Sequence, residues 1–384
     1  MHKSFKKIII LVSMLFLTFI IAACANNAQD DQSAGNEQEG KDGLKIAIVT
    51  SPSGVDDKSF NQNNYEGILA FIEEHPDATV KAVREPTGDP AASVQAVADI
   101  VADYDVIVTP GFQFAGISQL AVENPDKKFI LVDSEPAPVG DQTEFDNVYA
   151  MNFAEQESGF FAGVAAALES KTKKVAVVNG IAYPSNVNYQ FGFESGVNYA
   201  NKHLGTNVEI VELPGYSGTD VNGNDVGGNY VGTFSDPATG KTLGNMLIDQ
   251  GVDIIFSAAG GSGSGVITAA KEAKGDIKII GVDVDQYDEG QVGDKNVILT
   301  SAVKVMDLNV KRQLEAIVNG TFKGGNVVLY ADTDSTGYVK KEGRHQLSED
   351  TLAKLEEVYQ LVKEKKIVPA SNFNGHTPEN FPGL

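Results

Sequence analysis

Short apolar runs alternate with amphipathic stretches from Leu44 onward, and this alternation constrains the fold more than any other feature of the chain. Runs such as residues 44–50 (LKIAIVT) and 129–133 (FILVD) are rich in β-branched residues and have the length of buried strands. The stretches between them have helical spacing. Strands that alternate with helices in this way form βαβ units around a mainly parallel sheet, so the sequence predicts an α/β fold.

The same pattern begins again near residue 174, which indicates two lobes. The first series of strand candidates is 44–50, 79–85, 104–110, 129–133 and 147–153, and the second is 174–180, 208–214, 252–259 and 277–283. The chain of 384 residues is long enough for two such units. We therefore predict two doubly wound, Rossmann-like lobes that are joined by a hinge, with a ligand cleft between them where the strands end.

The elements after residue 283 are too few for a third domain, so we expect them to complete the two sheets. A strand at 297–301 is predicted to return to the first lobe, and a strand at 327–331 to the second. The predicted boundaries are 44–153 plus 286–325 for the first lobe, 154–285 plus 326–370 for the second, and 371–384 for a C-terminal tail.

The N-terminus carries a basic head, an apolar run and a cysteine. Residues 1–7 contain three lysines, and the apolar run over 8–21 is short for a membrane span. Ile21-Ala22-Ala23-Cys24 resembles a bacterial lipobox, in which the thiol is acylated and the chain is cut before it. A plain signal peptide with an incidental cysteine is the alternative.

We therefore expect a lipoprotein signal peptide over residues 1–23 and a lipid on Cys24. Residues 25–43 contain no large apolar side chain. Such a segment cannot bury enough apolar surface to order itself, so 24–43 is predicted to be a flexible tether.

Charge and composition exclude several classes of function. The net charge is −22, from 30 Lys and Arg against 52 Asp and Glu. This charge opposes binding to a phosphate backbone, so we expect no nucleic-acid partner. One cysteine and five histidines, with no H-E-x-x-H motif, indicate neither a metal nor a cofactor. Because no nucleophile is paired with a base in any motif, we expect no enzymatic activity.

Two segments supply aromatic side chains on which a flat ligand group could stack, and these side chains are called plates below. Ser59 and Gln62 have the spacing of a capping box at the start of a helix, which leaves Asp57, Phe60 and Asn61 without a local role. Phe60 then lies in the first helical turn, facing the cleft. A second helix is predicted to begin at Asp236 as N-cap and Pro237 as first residue, and Phe234 just before it is the second plate.

Strand ends supply candidate polar ligands. Asp133 and Asp283 end equivalent strands in the two halves, where a carboxylate can accept hydrogen bonds from a vicinal diol. Capping of a following helix is the alternative role. Gly260 opens the glycine-rich run 260–265, which can offer backbone amides to a ligand or simply form a tight turn.

Several ordered motifs together resemble one family. These motifs are V-D-D-K-S-F-N-Q at 55–62, E-S-G-F-F-A-G at 157–163, F-S-D-P-x-x-G-K at 234–241, A-A-G-G-S-G at 258–263, I-G-V-D-V-D-Q-Y at 280–287 and L-T-S-A-V-K at 299–304. With the lipobox, they resemble the basic membrane protein family of lipoproteins, the purine nucleoside receptor A-like solute-binding proteins of ABC importers. The resemblance implies a type I periplasmic-binding-protein fold.

The resemblance also implies residue roles. Phe60 and Phe234 would sandwich a purine base while Asn61 meets its polar edge, and Asp57 lies beside them. The ribose hydroxyls would be held by the carboxylates and one lysine, with a backbone contact from the glycine-rich run: Asp133, Asp283, Lys304 and Gly260. Relatives commonly place an Asp next to the base where this chain has Ser51.

The implied function is capture of a purine nucleoside and its delivery to an ABC permease. The protein would act as a monomer, anchored by its lipid to the extracellular face of a single-membrane bacterium. The alternatives are a receptor for another small polar ligand, such as a sugar or an amino acid, and an extracellular enzyme that processes nucleosides.

Overall fold

A computed structural model of the protein describes residues 43–384. Its strands are β1 Lys45–Thr50, β2 Thr79–Arg84, β3 Val106–Pro110, β4 Lys128–Val132, β5 Val148–Phe153, β6 Lys174–Asn179, β7 Glu209–Ile210, β8 Gly218–Thr219, β9 Asp225–Gly227, β10 Ile254–Ala258, β11 Lys278–Asp283, β12 Gln291–Val292, β13 Lys295–Asn296, β14 Ile298–Lys304, β15 Gly325–Leu329 and β16 Thr336–Tyr338. Its α-helices are α1 Phe60–Glu74, α2 Pro90–Ala98, α3 Ser118–Glu123, α4 Glu155–Glu169, α5 Pro184–His203, α6 Pro237–Asp249, α7 Gly263–Glu272, α8 Met306–Val318 and α9 Glu349–Lys363.

Two six-stranded sheets form the centres of two lobes. The first has the order β2-β1-β3-β4-β5-β15 and is parallel throughout. The second has the order β7-β6-β10-β11-β14-β16, and only its edge strand β16 is antiparallel. The first five strands of each sheet therefore follow one doubly wound order, which confirms the predicted α/β architecture.

Helices cover both faces of each sheet because the central strands are apolar on both faces. Ile46, Ile48, Ile107 and Leu131 are all fully buried. In the first lobe, α1 and α8 contribute to the core on one face, while α2 and the turn before α3 contribute to the core on the other. Each fully buried Ile or Leu side chain contributes about 1.5–3 kcal/mol to folding.

The chain passes between the lobes three times, after β5, after β14 and after β15. The helix that follows the fifth strand of each sheet packs in the opposite lobe: α4 lies on α5 of the second lobe, and α8 lies on α1 of the first. Each lobe is thus completed by a helix that follows a crossing from the other lobe. The three crossings form the hinge.

The predicted assignment of the late strands is wrong. The strand predicted at 297–301 belongs to the second sheet, where β14 pairs with β11, and the strand predicted at 327–331 belongs to the first, where β15 pairs with β5. The chain crosses after Lys304 rather than after residue 285. The local pattern of a short strand predicts that the segment is a strand and does not show which sheet it joins.

The segment predicted as a C-terminal tail is part of the second lobe. Phe381 is 5% exposed, and its ring meets that of Phe160 edge-on. The backbone of Val368 donates to the carbonyl of Pro382. The predicted signal peptide, Cys24 and nearly all of the predicted tether lie outside the described residues. Within residues 43–384, no helix has the length and apolar character needed to cross a bilayer.

Glycines allow α4 and α5 to touch backbone to backbone. A Cβ atom on Gly163 would lie 2.1 Å from the carbonyl oxygen of Phe193, and one on Gly196 would lie 2.2 Å from that of Phe160. These distances leave no room for a methyl group. The glycines of the E-S-G-F-F-A-G motif therefore set the spacing of the helix that enters the second lobe.

Replacing Gly163 with Ala should lower the free energy of unfolding by about 1–3 kcal/mol, the cost of forcing a methyl group into a packed contact. Denaturant unfolding of the purified protein measures the change. Gly215→Ala is the matched control, because no atom lies within 4 Å of the Cβ position at Gly215. Equal stability of the two variants would contradict the close helix contact.

Candidate functional site

A cavity lies between the two lobes, beside the carboxyl ends of the central strands. The first lobe supplies its lining from β1, β3 and β4 and from the start of α1, and the second lobe from β10, β11 and β14. Every residue that the sequence placed in a ligand site lines this one cavity: Asp57, Phe60, Asn61, Asp133, Phe234, Gly260, Asp283 and Lys304. The structure thus brings together positions spread over nearly 250 residues of the chain.

Asp57, rather than Ser59, caps α1, so the predicted capping box is wrong. Asp57 accepts hydrogen bonds from the backbone N–H groups of Ser59, Asn61 and Gln62 at 3.0–3.1 Å. Burial raises the pKa of Asp57, although these donors favour the ionised form and act in the opposite direction. A carboxylate reaches the free N–H groups of the first turn as well as a hydroxyl does, and it frees the Ser59 side chain for another contact.

The side-chain amide of Asn61 is oriented by two acceptors. Its Nδ2 donates to Asp57 Oδ2 at 2.9 Å and to Ser51 Oγ at 3.0 Å. Asn61 is 2% exposed, and within residues 43–384 its Oδ1 has no hydrogen-bond partner. Because both N–H groups are engaged, the free carbonyl oxygen makes Asn61 an acceptor toward the cavity. Ser51 serves here by positioning Asn61.

The Phe234 ring packs against Gly180. A Cβ atom at Gly180 would lie 2.2 Å from that ring, so the position requires glycine. The carbonyl of Phe234 accepts hydrogen bonds from Ser262 N at 3.0 Å and from Ser53 Oγ at 3.1 Å. As predicted from sequence, α6 begins at Pro237 after an Asp236 cap, which accepts from Thr239 N. The helix entry therefore fixes the backbone that carries the ring.

Gly260 adopts a φ of 52° and begins a short turn that leads into α7. Glycine reaches this left-handed region without the steric cost that a side chain brings. A Cβ atom there would contact Phe234 at 3.5 Å. The glycine-rich run thus forms a tight turn and also lines the cavity beside one aromatic plate.

Lys304 lies at the centre of a buried cluster of acids. Its Nζ donates to Asp133 and lies 3.5 Å from Glu155 Oε1 and 3.8 Å from Asp283 Oδ1. Lys304 and Glu155 are each 2% exposed. The same ammonium group is 4.8 Å from the centre of the Phe60 ring, within the range of a cation–π contact. The lysine therefore links both lobes, the hinge and one plate.

Asp133 and Asp283 have the same backbone conformation in the two lobes. Their φ values are 58° and 65°, in the left-handed region that Asp tolerates better than most residues. Asp283 accepts hydrogen bonds from Ser59 Oγ at 2.7 Å and from Tyr189 OH at 3.2 Å. Neither aspartate caps a helix, so the alternative role considered for them is wrong.

Three carboxyl groups share one lysine, and burial raises the pKa of two of them. Burial raises the pKa of Glu155 to about 8, against the opposing pull of Lys304. Burial also raises the pKa of Asp133, again opposed by Lys304. For Lys304 itself, burial disfavours the charge, but the surrounding carboxylates outweigh it and raise its pKa. The cluster therefore keeps the lysine charged and holds a proton on Glu155 at neutral pH.

Hydrogen bonds join the lobes across the cleft. Ser59 of the first lobe donates to Asp283 of the second, and Gln286 Nε2 donates to the carbonyl of Lys58 at 3.0 Å. Ser53 of the first lobe also donates to the carbonyl of Phe234 in the second lobe. These bonds hold the lobes in a closed arrangement around the cavity.

Sequence reasoning missed part of the lining. Phe112 follows β3, and its ring lies 5.2 Å from that of Tyr183, which precedes α5. Both residues directly flank predicted elements, so the strand-end rule that selected Asp133 would also have found Phe112. Glu155 had no such signal, because its role depends on a lysine 149 positions away. Among residues 43–384, no group of His, Cys, Asp and Glu is arranged to hold a metal ion.

Residues 44–213 and 223–372 match the Bmp family model, described as ABC transporter substrate-binding protein PnrA-like. The chain belongs to this family. As a Bmp protein it is the substrate-binding component of an ABC transporter. It is 30% identical over 368 residues to the CD4+ T-cell-stimulating antigen of Listeria innocua, in an alignment that covers 91% of this chain and 94% of that protein.

A second relative carries a ligand in its name. The chain is 29% identical over 345 residues to the ABC transporter nucleoside-binding protein BmpA of Lactococcus lactis, with 85% and 89% of the two chains covered. Among solved structures, a solute-binding protein of an ABC transporter system from Aeropyrum pernix superposes with a TM-score of 0.71 at 24% identity, covering 86% and 94%. This similarity confirms the predicted periplasmic-binding-protein fold of the Bmp chain.

The acid cluster predicts a pH dependence of stability. Because the folded pKa of Glu155, about 8, exceeds its ordinary value of 4.5, the native state binds the extra proton and loses stability as pH rises between these values. Glu155→Gln cannot ionise. The free energy of unfolding of this variant minus that of the wild type should therefore increase from pH 5 to pH 8. Denaturant titrations at each pH measure this difference.

Glu357→Gln provides the control, since it makes the same substitution at an exposed position of α9 outside the cluster around Lys304. A constant difference for Glu155→Gln over the same range would show that Glu155 is ionised throughout and that the cluster does not hold the proton.

Proposed function

We propose that this Bmp protein binds a purine nucleoside between its lobes and delivers it to an ABC permease. The observation that carries the proposal is the set of groups that line one cavity. The acceptor Asn61 and the plates Phe60 and Phe234 line it, together with the cluster around Lys304. A nucleoside presents complementary groups, namely a flat base with polar edges and a sugar with a vicinal diol.

The base is held by stacking and by one hydrogen bond. Stacking of a base on an aromatic side chain contributes roughly 1–3 kcal/mol. One plate comes from α1 of the first lobe and the other from the entry to α6 of the second. A ligand that stacks on both plates therefore favours closure of the lobes.

The sugar is held by charged acceptors. Asp133 Oδ1 is buried and has no partner within residues 43–384. A hydroxyl group of the ribose would donate to it, which satisfies an otherwise unpaired acceptor. Lys304 donates in return to a hydroxyl oxygen. The protonated Glu155 lets the lysine retain charge without repulsion among three carboxylates.

The transport role also requires an anchor and a partner. We propose that Cys24 carries a lipid, that residues 1–23 are removed as a signal peptide, and that the protein acts as a monomer on the extracellular face of the membrane. The permease would recognise the closed lobes, because closure brings surfaces of both lobes into one fixed arrangement. Mass spectrometry of the membrane-extracted protein would detect the acylated cysteine, and a free thiol at Cys24 would contradict the anchor.

Phe60→Ala and Phe234→Ala should each weaken nucleoside binding at least tenfold, because each removes one stacking surface. Isothermal titration calorimetry with inosine, guanosine and adenosine measures the effect. Phe322→Ala is the control, since that ring packs against Tyr149 and does not line the cavity. Unchanged affinity in both plate variants would show that the base lies elsewhere.

The orientation of Asn61 predicts a preference among bases. An acceptor needs a donor, so inosine, guanosine and adenosine, which present a ring N–H or an amino group, should bind at least tenfold more tightly than unsubstituted purine riboside. Leaving a buried acceptor unpaired costs about 1–3 kcal/mol. In Asn61→Ala the preference should shrink below threefold. Equal affinity for purine riboside and inosine in the wild type would contradict the assigned contact.

The identity of the ligand can be tested without assumption. Denaturing the purified protein and analysing the released small molecules by mass spectrometry should yield a purine nucleoside. Recovery of a sugar or an amino acid, with no thermal stabilisation by nucleosides, would reject the assignment. Incubation with inosine followed by chromatography for free hypoxanthine tests the alternative of an enzyme, and catalytic turnover would overturn the receptor function.

A further inference from the structure

A second cavity of about 610 Å³ adjoins the ligand cleft on its hinge side. Phe153 and Tyr330, at two of the crossings, form part of its wall. Three residues line both cavities, namely Phe112, Asp133 and Ser185. The volume is within the range of sites that hold a small organic group. The cleft therefore continues past Asp133 into a larger space.

The chemistry of this second cavity is acidic and apolar. Among the described residues that line it are Asp133, Glu135 and Glu155, and none is Lys or Arg. Its apolar lining consists of Phe112, Phe153, Pro184, Val221, Val328, Tyr330, Val368 and Phe373. Asp133 is already paired with Lys304 and Glu155 holds a proton, so the lining offers an anionic group the acidic Glu135 and no Lys or Arg. A neutral or cationic group would meet no such repulsion.

Asp133 stands at the junction of the two cavities. It is 8% exposed, one of its oxygens receives the Lys304 ammonium group, and within residues 43–384 its Oδ1 has no partner. A bound molecule that donates a hydrogen bond would satisfy this unpaired oxygen. A ligand that meets this need extends to the boundary of the second cavity.

Part of the lining lies outside the residues that the family model matches. Val221 and Asn222 lie in the turn between β8 and β9, in the segment between residues 213 and 223 that the family model does not match. Val221 is 45% exposed and Val328 is 43% exposed. These two apolar lining residues thus remain open to solvent, and a bound apolar group would cover them.

We propose that the site accepts nucleosides whose ribose carries a neutral or cationic substituent on the 5′ carbon, with that substituent lodged in the hinge-side cavity. This inference rests on the proposed nucleoside function. If the carboxylates of the cleft hold the 2′,3′ diol, the 5′ carbon is the remaining exocyclic carbon of the sugar. The same geometry excludes nucleotides, because a 5′ phosphate would enter the acid-lined space.

The test compares adenosine, 5′-butylthio-5′-deoxyadenosine and adenosine 5′-monophosphate by isothermal titration calorimetry. The butylthio compound should bind within threefold of adenosine or more tightly, and the monophosphate at least a hundredfold more weakly. If adenosine binds but the butylthio compound is tenfold weaker or worse, the second cavity does not accept the substituent. If neither nucleoside binds, the proposed function fails, and this inference fails with it.

A variant that fills the cavity completes the test. Val328→Trp should weaken the butylthio compound at least tenfold while adenosine stays within twofold of the wild type. Val318→Trp, at a comparably exposed valine on α8 that lines neither cavity, should change neither affinity. Loss of both ligands together, or of neither, in Val328→Trp would contradict the placement of the substituent.

Discussion

The buried charge of Lys304 is the constraint on which the rest of the site depends. An ammonium group removed from water is costly unless acidic groups surround it, and here Asp133 comes from the first lobe, Asp283 from the second and Glu155 from the start of α4. Asp133 accepts the hydrogen bond of the ammonium group from across the cleft, so this contact forms only when the lobes are near one another. Under the proposed function, a ligand that meets Asp133 and Asp283 would bridge the two lobes at this same group.

The fold was largely readable from sequence because strand and helix patterns are local. In the two six-stranded sheets, the strands before residue 283 follow from apolar runs, and the start of α6 at Pro237 follows from its capping residue. The short strands β8 and β9 were not predicted. The sheet that each late strand joins could not be read in this way. β14 pairs with β11, and β15 pairs with β5 from far earlier in the chain, and the local pattern of neither strand indicates its partner.

The candidate site was predictable where the two halves of the chain repeat the same position. Asp133 and Asp283 occupy equivalent strand ends, and the structure gives them matching positive φ values. The role of Asp57 was missed because a capping box and a carboxylate cap share most of their sequence signals. The orientation of the Asn61 amide was beyond sequence altogether, since it depends on Ser51 and Asp57 accepting from the same nitrogen.

The exchange of helices between the lobes has a consequence for how the molecule reaches its native state. α4 completes the second lobe and α8 the first, while β15 supplies the last strand of the first sheet from late in the chain. Neither lobe is a continuous piece of polypeptide. During synthesis the first lobe remains incomplete until more than 300 residues have been made, because α8 and β15 come late in the chain. Until then one edge of its sheet and the face that binds α8 are uncovered. Completion of the first lobe therefore depends on segments that are made after most of the second lobe.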